Sequence, residues 1–144
     1  MGIITDRNIR KLESAESYDD AGDTGVYSQD EFALSLSDLI EKKGLSTKDV
    51  LSFSNISKSY LNELRDCTGQ CNISRNKLLD LCLGIGADME ETNHLLRLKG
   101  FHPLDPRGSD LDRILIWGLA HHRSSIDIRE TLCEHGLMEF SLTP

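Results

Sequence analysis

Between Gln29 and Lys99 the apolar residues recur at helical spacing in five short runs separated by polar or glycine stops. Phe32, Leu36, Leu39 and Ile40 fall at i, i+4, i+7 and i+8 and predict one buried face of a first helix. Gly44 stops it behind Lys42 and Lys43, whose charges suit a helix C-terminus. Ser46 predicts the cap of a second helix over about 47–53, with Val50 and Leu51 facing inward. Ser54, Asn55 and Ile56 form a turn, and Ser57 caps a third helix over about 57–66 anchored by Ile56, Tyr60, Leu61 and Leu64. Cys67 to Asn72 reads as a polar loop. Ser74 caps a fourth helix whose Leu78, Leu79, Leu81, Cys82 and Leu83 are apolar on most sides, the pattern of a central helix. Gly84, Gly86 and Asp88 are expected to end it and to cap a fifth helix from Met89 to Lys99, stopped by Gly100.

After a proline-stiffened connector from Phe101 to Arg107, a sixth helix is expected from about Ser109 to His121 and a seventh from about Ser125 to His135. Ile114, Leu115, Trp117 and Leu119 supply its apolar faces, with Trp117 as a core anchor. No segment reads as a strand, so the fold class is all-α: a five-helix unit at 29–100 followed by a two-helix hairpin at 101–144. These last two helices echo the two before them. Leu79 and Leu115, Leu83 and Leu119, Leu96 and Leu132, and Gly100 and Gly136 are pairs 36 positions apart, as are the similar pairs Leu78 and Ile114, Lys77 and Arg113, and Phe101 and Leu137. The echo predicts that the sixth and seventh helices form a second hairpin stacked beside the fourth and fifth.

Residues 1–28 are expected to be a flexible acidic arm, because Glu13 to Asp30 has no hydrophobic period that offsets the entropy of ordering it. Ile3, Ile4, Ile9 and Leu12 give its first part an apolar side that could dock on its own domain or a second subunit. No apolar run approaches the ~20 residues of a membrane span or the 7 to 15 of a signal peptide core. The expected location is cytoplasmic, with no membrane partner. In a reducing compartment Cys67, Cys71, Cys82 and Cys133 are expected to form no disulfide.

The net charge of −8, from 16 basic and 24 acidic residues, has the wrong sign for binding nucleic acid through an overall field. Its distribution softens that objection. Residues 1–28 carry three basic and six acidic residues, residues 29–99 nine and eleven, and residues 100–144 four and seven. The segment with the helix-turn-helix spacing is thus near neutral, and the acidity lies on its flanks.

A short helix, a tight turn and a second, capped short helix is the geometry that sets one helix in the DNA major groove while its predecessor crosses the backbone. Leu36 and Ile40, Gly44-Leu45-Ser46, Val50 and Leu51, Ile56-Ser57, Tyr60-Leu61, Leu64, and Leu78, Leu79, Cys82 and Leu83 together resemble the lambda-repressor-like, Cro-type helix-turn-helix family over roughly residues 30–100. The run from Glu90 to Arg107, EETNHLLRLKGFHPLDPR, further resembles a bacterial subgroup in which the repressor-like unit is followed by another helical hairpin. The resemblance implies a double-stranded DNA partner and a homodimer. It implies phosphate contacts from Thr47 or Lys48 at the start of the second helix, where relatives often carry glutamine, and from Arg65 late in the third. It implies base contacts from Ser57, Lys58, Ser59 and Asn62, with Lys58 suited to guanine and Asn62 to adenine. Arg75 and Lys77 would flank the other side of the groove as further phosphate contacts. Glu63 and Asp66 offset the basic residues of the third helix, so two subunits are needed to gather enough contacts.

No other chemistry finds a foothold. His121, His122, Cys133, Glu134 and His135 lack zinc-site spacing, and Cys67 and Cys71 lack partners nearby, so no metal and no cofactor are expected. Cys82 reads as a small core residue. There is no glycine-rich phosphate loop and no nucleophile motif, and Glu90-Glu91 and Asp19-Asp20 are explained by helix-start charge and a solvated arm, so an enzyme is not expected. Two functions remain: a sequence-specific DNA-binding transcription regulator, and an adaptor that keeps the repressor-like fold but binds a protein partner through its acidic surface.

Overall fold

The computed structural model describes residues 31–66 and 71–142. The acidic arm at 1–28 and the middle of the loop after the third helix lie outside these residues. The described chain is all-helical, without a strand: α1 (Glu31–Lys42), α2 (Thr47–Ser52), α3 (Lys58–Arg65), α4 (Arg75–Ile85), α5 (Met89–Leu98), α6 (Asp110–Ala120), α7 (Ser125–Glu134) and a closing 3-10 turn at Met138–Phe140. No helix among the described residues is long and apolar enough to cross a membrane. Each of α2 to α7 begins with a serine or aspartate whose side chain accepts a hydrogen bond from the backbone N–H three residues on, from Ser46 through Ser124. Local capping chemistry therefore places the helix starts, as the sequence predicts.

α4 is the centre. Every residue from Leu78 to Ile85 is buried, Asp80 included, and α2 and α5 pack against this helix. α1 packs on α3 and α5, α5 on α6, and α6 on α7, which carries the 3-10 turn. The buried apolar residues form one cluster from Phe32 to Phe140, drawn from all seven helices and the closing turn. The core thus runs across residue 100, and the C-terminal hairpin shares it.

The 36-residue echo extends to backbone detail. α5 and α7 span residues related by that shift, and so do their caps at Asp88 and Ser124. Each is closed by a left-handed glycine, Gly100 (φ +77°) and Gly136 (φ +84°). Phe101 N–H bonds Leu96 O, and Leu137 N–H bonds Leu132 O. The ends of α4 and α6 match equally: Gly86 (φ +80°) corresponds to His122 (φ +53°), and the bonds Ala87 N–H to Cys82 O and Arg123 N–H to Gly118 O correspond. The interhelix contact is repeated too. Cys82 of α4 lies beside Thr92 of α5, and Gly118 of α6 lies against Ile128 of α7, where a β-carbon on the glycine would clash with Ile128 Cγ1.

Three expectations need correction. Gly84 does not end the fourth helix; it is buried inside α4, and the left-handed Gly86 ends it. Trp117 is not a core anchor. Leu111, Ile114, Leu115 and Gly118 form the buried stripe of α6, and at ~100° per residue Trp117 falls beyond its edge. Its ring is 38% exposed, stacked obliquely on His121 with the Arg123 guanidinium 5.4 Å above it. Finally, Cys71 is disulfide-bonded, while Cys82 and Cys133 are free thiols. The expectation of no disulfide rested on the redox compartment, which says nothing about which sulfurs a fold brings together. Burial pushes the Cys82 thiol up to about 12, leaving it a core residue without thiolate character.

α1 and α5 are joined at the surface by Glu91, which closes the α5 capping box with Asp88 and ion-pairs with Lys42 and Lys43, each at 3.0 Å. Burial favours the neutral acid, but the Asp88 N–H and the two lysines outweigh it and pull the Glu91 carboxyl down to about 2 from its ordinary 4.5. A depressed folded-state value means that this stabilisation is complete above pH about 4.5 and is lost as the pH falls toward about 2. Glu91→Gln, which can retain the cap but not the ion pairs, is expected to lower stability at neutral pH by about 1 kcal/mol. It should also flatten the acid limb of stability in that window, as read by urea denaturation across pH.

Candidate nucleic-acid interface

α2 and α3 are built by their own sequences and then placed by the core. Ser46 and Asp49 make a reciprocal capping box at the start of α2, at 3.1 and 3.0 Å. Ser57 caps α3 by accepting from Tyr60 N–H at 3.2 Å. Ile56, Leu61 and Leu64 are buried, which turns Ser57, Lys58, Ser59, Asn62 and Glu63 to the outside. Ser57, Lys58, Ser59 and Asn62, the residues expected to meet base edges, are thus exposed together with Glu63. Ser57 Oγ has a second role as the cap and lies 3.4 Å from Ser59 Oγ.

Thr47, Lys48, Leu51, Ser52 and Lys58 line an open groove of about 510 Å³ between the two helix starts. Lys48 and Lys58, both exposed, thus share one concavity. A third lysine, Lys77 of α4, lies outside that groove but reaches the turn just before α3, where it donates to Asn55 O at 3.2 Å. The three lysines gather around the N-terminal end of α3, whose unpaired N–H groups add partial positive charge.

The other two basic candidates go elsewhere. Arg65 is half-buried and bonds inward to Thr47 Oγ1 at 3.2 Å and Ser37 Oγ at 3.5 Å, linking α3 to α2 and α1. This brings Arg65 and Thr47 together, both half-buried, with Thr47 still lining the groove. Arg75 grips Asp112 of α6 with both terminal nitrogens at 2.8 and 2.9 Å and donates to the carbonyls of His102 and Pro103. It bolts the 101–107 connector to the bundle and does not join the lysines. Asp112 also accepts from Asp105 N–H, and these partners hold its carboxyl below the ordinary range against the effect of burial.

The turn between α2 and α3 is held by residues that sequence reasoning missed. Asp80 of α4 accepts from the Asn55 backbone N–H at 2.7 Å and from its Nδ2 at 2.9 Å. Arg129 of α7 pairs with Asp80 at 2.6 Å and donates to Phe53 O at 2.9 Å and Phe140 O at 2.8 Å. Asn55 Nδ2 also donates to Glu139 O and Ser141 O. Phe53 leaves its ring 43% exposed beside this turn. A charge inside the otherwise apolar run from Leu78 to Ile85 was the available signal at Asp80; its partner, 49 residues away, had none.

No family model, curated protein or solved structure matches this chain. The geometry of α2, the turn and α3 therefore carries the site by itself.

That geometry needs Gly84. A β-carbon there would lie 2.7 Å from Ser54 Cβ and 2.8 Å from Phe53 O, and the latter is backbone that cannot rotate aside. Gly84→Ala is expected to cost about 1–3 kcal/mol in urea denaturation by pushing the turn off α4. The chemical shifts of residues 53–58 should move more than those of α7.

Proposed function

We propose that this chain is a sequence-specific, double-stranded DNA-binding transcription regulator whose recognition helix is α3, with α1 to α5 forming a repressor-like unit and α6 and α7 an appended hairpin. The observation that carries the reading is the capped, outward-facing start of α3, which presents Lys58, Ser59 and Asn62 beside a groove shared with Lys48. Lys58 and Asn62 carry donors suited to guanine and adenine edges, and Lys48, Lys77 and the α2 start suit phosphates on either side. Three lysines are few for a stable complex. A homodimer placing two copies of α3 in successive major grooves doubles them, which predicts a two-fold symmetric operator with half-sites about one helical turn apart.

Selection of bound sequences from random DNA tests this directly, with enrichment of a symmetric site as the expected result. Lys58→Ala with Asn62→Ala should abolish enrichment at their base positions, costing about 1–3 kcal/mol for each base contact. Lys48→Ala should weaken binding to all sequences and reduce the salt slope by about 1. Loss of neither would remove α3 from the role.

The adaptor reading draws on a different observation, the exposed Ile126 and Met138 on the acidic C-terminal region. No DNA retention at low salt, together with a co-purifying protein lost on Ile126→Glu, would favour it.

A further inference from the structure

We infer that Asp80 and Arg129 are positioning residues for the α2–α3 turn, so that the C-terminal hairpin sets the orientation of the recognition helix; this rests on the DNA-binding reading of α3. The turn's local bonds tie it only back to α2, through Ser54 and Phe53. Its polar groups are taken up by three distant segments: Asp80 holds the Asn55 N–H and Nδ2, Arg129 holds Phe53 O, and the chain at Glu139 and Ser141 holds Asn55 Nδ2 a second time. Ser54 closes the turn onto α2, donating to Val50 O at 2.6 Å. Asn55 stands two residues before the α3 cap, so its pinning fixes where Ser57 and Lys58 begin.

The pair cannot slide. Asp80 and Arg129 are both more than nine-tenths buried, and Arg129 Nη2 also bonds the Asp80 carbonyl at 3.0 Å, fixing α7 in register with α4. Phe140 O accepts from Arg129 Nη1, so the closing 3-10 turn is part of the same clamp. The buried charge of α7 thus points at the turn that begins the recognition helix. Burying two ions for stability alone is a poor device, since apolar replacements often serve as well, whereas buried polar groups can fix one arrangement among several.

That property supplies the test. In the full chain, Asp80→Leu with Arg129→Met replaces the pair by apolar side chains and leaves no unpaired buried charge. The Asn55 amide is expected to exchange with solvent about tenfold faster or more, with Leu115 and Leu132 protected as before. Selection from random DNA should return a flattened motif while salt-dependent non-specific binding persists. A purely structural pair would leave the motif unchanged in a folded variant even though the Asn55 N–H loses its acceptor, and that result overturns the inference. If the double variant does not fold, Asn55→Ala, which keeps the ion pair and the backbone N–H bond to Asp80 but removes the Nδ2 bonds, is read by the motif: flattening supports the inference and an unchanged motif overturns it. If the wild-type chain enriches no sequence, the DNA-binding reading fails, and exchange at residue 55 alone decides whether the clamp exists.

Discussion

The Asp80–Arg129 ion pair is the joint on which the rest of this structure turns. It sits where the central helix, the last helix, the closing 3-10 turn and the α2–α3 turn converge, and it accounts for the main hydrogen bonds of each at that point. Two ions carry a large desolvation cost in such a place, offset only if nearly all their donors and acceptors are met. They nearly are. Arg129 Nε is the exception, a buried N–H without a partner among the described residues. Around this point the helices are joined mainly by aliphatic packing, which is non-directional and tolerant of small slides, with directional ties elsewhere at Arg75–Asp112, Glu91 and Arg65. Directional bonds at one buried point supply what that packing lacks.

The two C-terminal hairpins show the same division between shape and specificity. Their caps, left-handed closures and interhelix contacts repeat at a spacing of 36 residues, yet the polar links do not. Ile116 stands where the first hairpin has Asp80, and Asn93 stands where the second has Arg129. Arg75 and Asp112, which bolt α4 to α6 through the connector, likewise correspond to Leu111 and Asn76. The repeated part builds a hairpin. The unrepeated polar residues decide what each hairpin is joined to.

The charge of the molecule takes on a local meaning once the helices are placed. A net −8 argues against long-range attraction to DNA, but Lys48, Lys58 and Lys77 come from three different helices to one end of α3, while Lys42 and Lys43 are engaged with Glu91 on the α1–α5 surface. Arg65 and Arg75, equal candidates by sequence, turn inward to Thr47 and Asp112. On the proposed reading, attraction to DNA has to act at short range, within about a Debye length of this patch.

The helices themselves are legible in the amino-acid sequence. Serine and aspartate caps, glycine stops and the i, i+4 rows of leucine act within one or two turns of chain, so local sequence contains nearly everything that decides them. The outward face of α3 is legible for the same reason, since Ile56, Leu61 and Leu64 define its inward face. Partnerships across 25 to 76 residues are not: Asn55 with Asp80, Arg129 with Phe53, and Arg75 with Asp112 depend on how helices cross. The place of Gly84 against the turn and the outward turn of Trp117 depend on it as well. Local periodicity determines which residues face inward, because capping and amphipathicity are short-range. Which inward groups meet, and so which basic residues remain at the surface, is decided only by the tertiary packing, because a charge buried among apolar helices must find its partner wherever the fold brings one.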